Sequence, residues 1–326
     1  RVRTGSGGRY RVFTPYWRAL KDQMPPPLPL QTPEQIVVPD IRINSNVLSG
    51  WALLPVSPDW SIGFDIWTPG EEGARAALRD FLPKLEAYDE TRNLPSMEGI
   101  SRLSPHLHFG EISPATIWHH AARKARSAAE PWLRQVGWRD FAANVIDISP
   151  KYGCENGRDL GEDFAWRAGL AADRDFRAWT KGQTGYPIVD AGMRELWATG
   201  VMHNRVRMIA ASFLIKHLLI DWRCGERWFW NTLLDADYGS NAVNWQWVAG
   251  TGSDSNPFGR IMAPLLQSRK FDAGDYIRRW VPELAEVEGD AVHDPHEAGI
   301  AVPGYPAPLI GHREARARAL AAIAGN

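Results

Sequence analysis

A short segment in the C-terminal half concentrates side chains that could do chemistry. The segment DADYGSNAVNWQW, residues 235–247, holds two aspartates, two asparagines and two tryptophans. Carboxylates and amides at this density can fix a polar ligand by hydrogen bonds, and indole rings can stack on a flat one. The segment has neither the apolar stripe of a core helix nor the alternation of a half-buried strand. Plain packing of the tryptophans is the alternative, because large aromatic residues fill most protein cores.

A second segment, ISRLSPHLHFGEISP at residues 100–114, has the composition of a phosphate site. It supplies the hydroxyls of Ser101 and Ser104, the guanidinium of Arg102, and backbone amides beside a predicted helix start. Such groups bind phosphate well. A capped turn with a surface arginine is the alternative, since the sequence contains neither G-x-G-x-x-G nor a Walker pattern.

Tryptophan is unusually abundant. The sequence has 16 tryptophans, and several stand beside a charged or amide side chain, as in Trp138-Arg139, Trp222-Arg223 and Trp245-Gln246-Trp247. Such residues can stack on flat ligands, carry electrons or fill space, and the sequence pattern alone leaves all three open.

Length and composition narrow the class of protein. A chain of 326 residues with net charge −1 forms one large domain or two, and its composition is that of a soluble globular protein. The apolar stretch MIAASFLIKHLLI is too short to span a membrane and is interrupted by Lys216 and His217. Cys154 and Cys224 lack metal-ligand spacing, so we expect no metal site and a reducing, cytoplasmic setting. The basic segment 201–230 could bind a polyanion or form a solvated helix face.

The elements that must position these residues are predominantly helices. Proline-rich runs such as MPPPLPLQTPEQ predict that the first sixty or so residues form an extended connector with little regular structure. Thr68 as N-cap with Glu71 as its capping-box partner predicts the next helix start, and Ser113 predicts another. Gly200 is placed to end a helix. Few segments alternate as strands do.

These segments, in this order, resemble the photolyase/cryptochrome family, and within it the class I cyclobutane pyrimidine dimer photolyases. The resemblance runs from about Phe13 to Ala322 and rests on stretches such as VFTPYWRAL, SRLSPHLHFGEISP, KGQTGYPIVDAGMRELWATG and DADYGSNAVNWQWVAGTGSD. It implies an all-α FAD-binding catalytic domain over residues 63–326, preceded by an interdomain connector over residues 1–62. The family's N-terminal α/β antenna domain is absent from this sequence. We therefore expect the chain to bind FAD, active as FADH⁻, and no antenna chromophore.

The resemblance also implies which residues hold the cofactor. They are Tyr88, Ile100, Ser101, Arg102, Leu103, Ser104, Trp132, Gln135, Arg139, Arg207, Asp235, Ala236, Asp237 and Asn241. Tyr88 and the 100–104 turn would hold the phosphates, and Arg207 and Asp235 would form an ion pair beneath the isoalloxazine. Asn241 would face flavin N5, where a neutral amide accepts a hydrogen bond without adding a charge.

Further residues carry over to electron transfer and to DNA. Trp245, Trp222 and Trp166 match the family's chain of electron-transfer tryptophans, and with Gln135 and Asn241 they form the predicted catalytic set. A pyrimidine dimer must be flipped out of the duplex to reach a flavin. Trp138 and Trp247 match the aromatics around the flipped dimer, and the other predicted DNA contacts are Arg92, Asn204, Arg205 and Met208.

The implied function is light-driven repair of cyclobutane pyrimidine dimers in UV-damaged DNA, in which excited FADH⁻ lends an electron to the dimer. A monomer without membrane attachment is expected. Gln135 stands where dimer photolyases usually carry glutamate, and (6-4) photolyases and animal cryptochromes carry glutamine there. A (6-4) photolyase and a cryptochrome-like FAD photoreceptor without repair activity are therefore the alternatives, although Asn204, Met208 and Asn241 favour dimer repair.

A third alternative is an incomplete chain that binds FAD poorly. In that case Val12, Phe13, Tyr16 and Trp17 would be left exposed by the missing partner domain.

Overall fold

The computed structural model describes residues 2–41, 43–56, 59, 61–158, 164–255, 258 and 261–324. These residues form helices and turns, and no strand occurs among them, so the predicted all-α class is confirmed. The α-helices in chain order are α1 (Phe13–Lys21), α2 (Glu71–Phe81), α3 (Tyr88–Thr91), α4 (Ser104–His108), α5 (Pro114–Ala125), α6 (Glu130–Ile148), α7 (Leu170–Thr180), α8 (Pro187–Thr199), α9 (Asn204–Ser212), α10 (Trp222–Thr232), α11 (Tyr238–Ala249), α12 (Pro264–Lys270), α13 (Gly274–Trp280) and α14 (His312–Ala324).

Two apolar clusters organise the helices. One contains buried side chains of α1, α2, α5 and α6, and the other contains those of α7–α10, α13 and α14. Helix α11 belongs to both, because Ala242 and Val243 lie in the first cluster while Trp245 and Ala249 lie in the second. The segment 235–247 therefore lies where the two halves of the fold meet.

Helix ends follow the sequence signals in two places and depart from them in one. The Ser113 hydroxyl accepts a hydrogen bond from the Thr116 amide at 3.0 Å, and Gly200 ends α8 in the left-handed conformation at φ 71°. The predicted capping box at Thr68 is wrong. Helix α2 begins at Glu71 with Gly70 as its N-cap and no side-chain cap. The Thr68 carbonyl lies against Gly73 in the first turn of α2, since a Cβ on Gly73 would lie 1.8 Å from the carbonyl oxygen.

The first sixty residues are not uniformly extended, which corrects the expectation from proline content. Residues 13–21 form α1, which packs on α6. Phe13, Tyr16 and Trp17 are 1%, 2% and 5% exposed, so these three do not form the exposed surface expected of an incomplete chain. Tyr16 and Trp17 follow Phe13 by three and four residues, so the three aromatic side chains lie on one face of the short helix α1, and that face is buried. Val12 stays partly exposed.

From residue 22 to residue 56, the described side chains are mostly exposed to solvent. The apolar side chains Leu30, Val37, Ile43 and Val56 are each more than three-quarters exposed. The division into a connector over residues 1–62 and a helical domain over residues 63–326 stays a prediction, with α1 as a helical part of the connector.

Helix α9 has the predicted core face. Val206 and Ile209 are buried, as are Phe213 and Leu214 beyond its end. The α-helical pattern stops at Ser212 and continues as a π-helical turn over Phe213–His217. None of the helices within the described ranges has the length and apolar character needed to cross a membrane.

Candidate functional site

A cavity of about 460 Å³ lies between the two apolar clusters. Its walls include buried residues of both, such as Trp132 and Phe141 from one cluster and Met202 from the other. A smaller chamber of about 120 Å³ shares the side chains of Ser104, Arg139, Arg207 and Asp235 with it. Volumes of several hundred Å³ are typical of sites for cofactors and other small molecules.

The 100–104 turn borders the cavity along its whole length. Arg102 adopts the left-handed conformation at φ 54°, and Leu103 follows with φ −87° and ψ −6°. Successive residues of opposite hand turn their amide groups to one side and form an anion-binding concavity. A non-glycine residue held at positive φ costs energy, which suits a functional turn. The turn therefore has the geometry of a phosphate site.

The predicted ion pair of Arg207 and Asp235 forms. Arg207 Nη2 lies 3.1 Å from Asp235 Oδ2, and the carboxylate is 6% exposed. Burial alone would raise the pKa of Asp235, but the charge of Arg207 and hydrogen bonds from Ser104 and Arg207 lower it below its ordinary value. The group stays ionised at the cavity wall.

A second ion pair lies beside the first. Arg139 Nη2 lies 3.3 Å from Asp237 Oδ2, and both residues border the smaller chamber. Asp237 is also the N-cap of α11, where its Oδ1 accepts a hydrogen bond from the Ser240 amide at 2.8 Å. Asp237 thus fixes the start of the helix that carries Asn241, Trp245 and Trp247.

The amide of Asn241 has a defined orientation. Its Nδ2 donates to the backbone oxygen of Glu226 at 3.0 Å and to Glu226 Oε1 at 2.9 Å. Both partners are acceptors, so the NH₂ group must face them and the carbonyl oxygen is left for the chamber that Asn241 borders. Burial raises the pKa of Glu226, while its hydrogen bond with Asn241 acts in the opposite direction.

A buried polar network supports Arg207 from behind. Its Nε donates to the Met202 carbonyl at 2.7 Å. The next residue, His203, donates its backbone amide to Glu195 Oε2 at 3.2 Å, and Tyr276 donates its hydroxyl to the same oxygen at 2.5 Å. Burial raises the pKa of Glu195, although Arg207 and Arg102 oppose the rise. This network fixes Met202 and His203, the two residues that precede α9, and through Met202 it holds the Arg207 side chain.

The other predicted cofactor residues also border the two spaces. The larger cavity is lined by Tyr88, Ile100, Ser101, Leu103, Trp132 and Gln135, and the smaller by Ala236. Gln135 Nε2 donates to the Pro131 carbonyl at 3.2 Å, so its amide oxygen remains the free acceptor. Gln135 also borders an outer, more open cleft together with Arg92 and Trp138.

Five of the six predicted DNA contacts lie at the same cavity, namely Arg92, Trp138, Asn204, Met208 and Trp247. The structure does not place Arg205 among the residues that line it. The Arg205 guanidinium donates to Asn93 Oδ1 at 2.6 Å and lies over the Phe271 ring, 4.6 Å from its centroid.

The predicted electron-transfer tryptophans lie in the second apolar cluster. Trp245 borders the smaller chamber and packs on α10, since a Cβ on Gly225 would lie 2.2 Å from its ring. Trp222, at the start of α10, is fully buried and donates its indole N–H to Asn156 at 3.0 Å. Trp166 is half-buried, and its ring lies against those of Phe164 and Phe258. The role of these three tryptophans as a chain of electron-transfer residues stays a prediction.

The residues present fit FAD. The Asp235 Oδ1 atom is buried at the cavity wall with no hydrogen-bond partner in the protein, which is an acceptor available for a ligand hydroxyl. The 100–104 turn fits a phosphate, and the Asn241 carbonyl fits a ring N–H donor. No cluster of side chains in the described part of the chain could hold a metal ion.

Sequence reasoning missed several residues of the site. Glu226 contacts Asn241 on the next helix, whereas Glu195 contacts Tyr276 and Asp254 contacts Phe13, both far away in the chain. Their sequence surroundings carry no motif that could have identified them.

Comparison with known proteins agrees with this geometry. Residues 132–325 match the family described as the FAD binding domain of DNA photolyase. A deoxyribodipyrimidine photo-lyase of Agrobacterium fabrum is 50% identical over 340 residues, covering 99% of this chain and 70% of the relative.

Two solved structures are also similar. A bacterial class III photolyase from Agrobacterium tumefaciens has a TM-score of 0.94 at 50% identity, covering 100% of this chain and 70% of its own. A cryptochrome of Synechocystis has a TM-score of 0.82 at 31% identity, covering 95% of this chain and 68% of its own. The chain therefore belongs to the DNA photolyase/cryptochrome family, and it is an enzyme that carries the family's FAD-binding domain.

Proposed function

We propose that the chain is a deoxyribodipyrimidine photo-lyase that uses light to split cyclobutane pyrimidine dimers in UV-damaged DNA. One observation carries the proposal: most of the predicted cofactor-binding residues and five of the six predicted lesion contacts line a single cavity. A flipped pyrimidine dimer in that cavity would lie beside the cofactor, which short-range electron transfer requires.

The residues of the chain would bind and orient both partners. The 100–104 turn would hold the FAD phosphates, Arg207 with Asp235 would lie under the ring system, and Asn241 would accept a hydrogen bond from it. Reduced FAD supplies, on absorbing light, the electron that opens the cyclobutane ring and that afterwards returns. The protein contributes orientation, fixed charge and exclusion of water.

On the DNA side, Trp138 and Trp247 would enclose the flipped dimer between aromatic surfaces. Gln135 would present its amide oxygen as an acceptor towards the damaged base. Unlike a glutamic acid, it cannot donate a proton. Trp245 and Trp222 would pass electrons inwards from the surface when FAD needs to be reduced.

Lesion selectivity is the test that separates this function from the alternatives. Photoreduced protein is illuminated with oligonucleotides carrying a thymine dimer, a (6-4) lesion or no damage, and intact thymine is quantified. Restoration of the dimer alone is expected, and Gln135→Glu should retain that selectivity with a higher yield. Restoration of the (6-4) lesion would instead make the chain a (6-4) photolyase. Photoreduction without any restoration would favour a photoreceptor, a function that the similarity to a cryptochrome keeps as second candidate.

A further inference from the structure

Trp138, the predicted lesion contact on α6, is backed by an aromatic residue of α1. The Phe13 and Trp138 rings are stacked, with centroids 3.7 Å apart and planes inclined by 12°. Phe13 is 1% exposed, whereas Trp138 is half-buried and borders the cavity. One face of the indole is therefore covered by protein from a different part of the chain.

The position of Phe13 is itself fixed from the other side of the cavity. Its backbone amide donates to Asp254 Oδ2 at 3.0 Å, and the Arg11 carbonyl accepts from the Ser253 hydroxyl at 3.2 Å. Ser253 and Asp254 belong to the loop after α11, the helix that carries Trp247. Helix α1 has no side-chain cap from its own preceding residue, so Asp254 satisfies one of its free amides.

Further contacts hold the ring in place. The Arg134 guanidinium, one turn before Trp138 on α6, lies over the Phe13 ring at 5.4 Å, and Phe141 meets it edge-on at 5.6 Å. Tyr16 of α1 donates its hydroxyl to Asp140 of α6. These contacts surround the Phe13 ring, which lies nearly parallel to the Trp138 indole.

We propose that Phe13 is a positioning residue of the lesion site, which holds the Trp138 indole at the angle needed to stack on a flipped base and joins it through Asp254 to the Trp247 side. The inference rests on the proposed function and deepens it. An indole free to turn on its χ angles would lose rotamer entropy on each binding event, and Phe13 removes that cost in advance.

The variant Phe13→Leu keeps apolar volume in the core but removes the flat ring. We expect it to weaken binding to dimer-containing DNA by up to roughly tenfold, because ordering a free Trp138 side chain on binding costs about that much. Binding to undamaged DNA, FAD content and the rate of FAD photoreduction should stay at wild-type levels, since those depend on other residues. If Phe13→Leu folds poorly, Phe13→Met supplies an unbranched side chain of similar volume with the same expectation.

The matched control is Trp17→Phe. Trp17 lies on the same helix and packs over Gly137 of α6, so this variant disturbs the same interface next to Trp138. It should leave the preference for dimer DNA unchanged. An equal loss of preference in Trp17→Phe and Phe13→Leu, or none in Phe13→Leu, would overturn the positioning role. A wild-type protein without preference for dimers would instead contradict the proposed function itself.

Discussion

Asn241 faces the smaller chamber in one orientation because Glu226 accepts both of its N–H groups. An amide is ambiguous as a ligand, since either end can turn towards a partner. The backbone oxygen and the carboxylate of Glu226 together remove that ambiguity and leave the carbonyl oxygen for the cofactor.

Removing the carboxylate should loosen the amide. In Glu226→Ala only the backbone oxygen of residue 226 still accepts from Asn241, so the amide is held by one hydrogen bond in place of two, and we expect the photoreduced flavin to be reoxidised by air several times faster. In the matched control Glu226→Gln, an amide oxygen still accepts from Asn241, so the rate should stay near that of the wild type. Flavin absorbance after illumination measures both. Equal rates in Glu226→Ala and wild type would show that Glu226 does not orient the amide.

The Arg207–Asp235 pair should be necessary for the site to form. In Arg207→Met the buried carboxylate of Asp235 loses its counter-charge, and leaving one charge of such a pair unpaired costs about 3–5 kcal/mol. We expect reduced thermal stability and loss of FAD. Arg207→Lys keeps the charge but not the planar geometry, so an intermediate loss is expected. Melting temperature and the ratio of flavin to protein absorbance give the answer, and a variant Arg207→Met that retains both values would contradict this role.

The sequence predicted the Arg207–Asp235 pair only through the family resemblance, because 28 residues separate the two partners. Glu226 could not be predicted, since its role depends on how α10 packs against α11. The same holds for Asp254, which meets the Phe13 amide across 241 residues. Contacts of this kind are set by tertiary packing, and local sequence does not encode them.

At the scale of elements, helix α9 serves both the predicted cofactor site and the predicted lesion site. It carries Arg207 for the first and Asn204 and Met208 for the second. Its N-cap is His203, whose Nδ1 accepts a hydrogen bond from the Arg205 amide at 3.2 Å. Only an unprotonated Nδ1 can accept. Burial, together with the charges of Arg205 and Arg207, lowers the pKa of His203 to about 4.

This cap should make stability depend on pH in a defined window. Between pH 6.5 and about 4, the unfolded chain binds a proton on His203 and the folded chain does not, so stability falls as pH falls through that window. The variant His203→Asn keeps a capping oxygen and cannot titrate. We expect the wild type to lose about 2 kcal/mol more than the variant between pH 7 and pH 5.

Chemical denaturation of both proteins at the two pH values measures the difference. Burial raises the pKa of Asp190 to about 6, so this group makes the protein more stable as the pH falls. The effect is the same in wild type and variant, and it cancels in the difference between them. Equal losses in wild type and variant would show that His203 does not cap α9 as a neutral side chain.

Helix boundaries show where local sequence suffices. Ser113 followed by proline predicted the start of α5 correctly, because a cap needs only the hydroxyl and the amides of the next turn. Thr68 failed as a cap for α2, since the chain takes a glycine conformation at Gly70, with φ 93°, before the helix begins.

At the scale of the whole molecule, the all-α class could be predicted from helix signals and the near absence of alternating segments. The role of α1 could not. Proline content suggested a connector, yet Phe13, Tyr16 and Trp17 are buried against α6. The periodicity of a nine-residue helix is too short to stand out within a segment rich in turn residues.

The proposed repair requires that cofactor and lesion meet in one cavity. The fluorescence lifetime of the bound, photoreduced flavin tests it most directly, because electron transfer to a dimer in contact with the flavin competes with emission. Saturating dimer-containing DNA should shorten the lifetime, and undamaged DNA of the same sequence should leave it unchanged. A lifetime unaffected by dimer DNA that is demonstrably bound would contradict the proposal, since the lesion would then lie too far from the cofactor to be repaired.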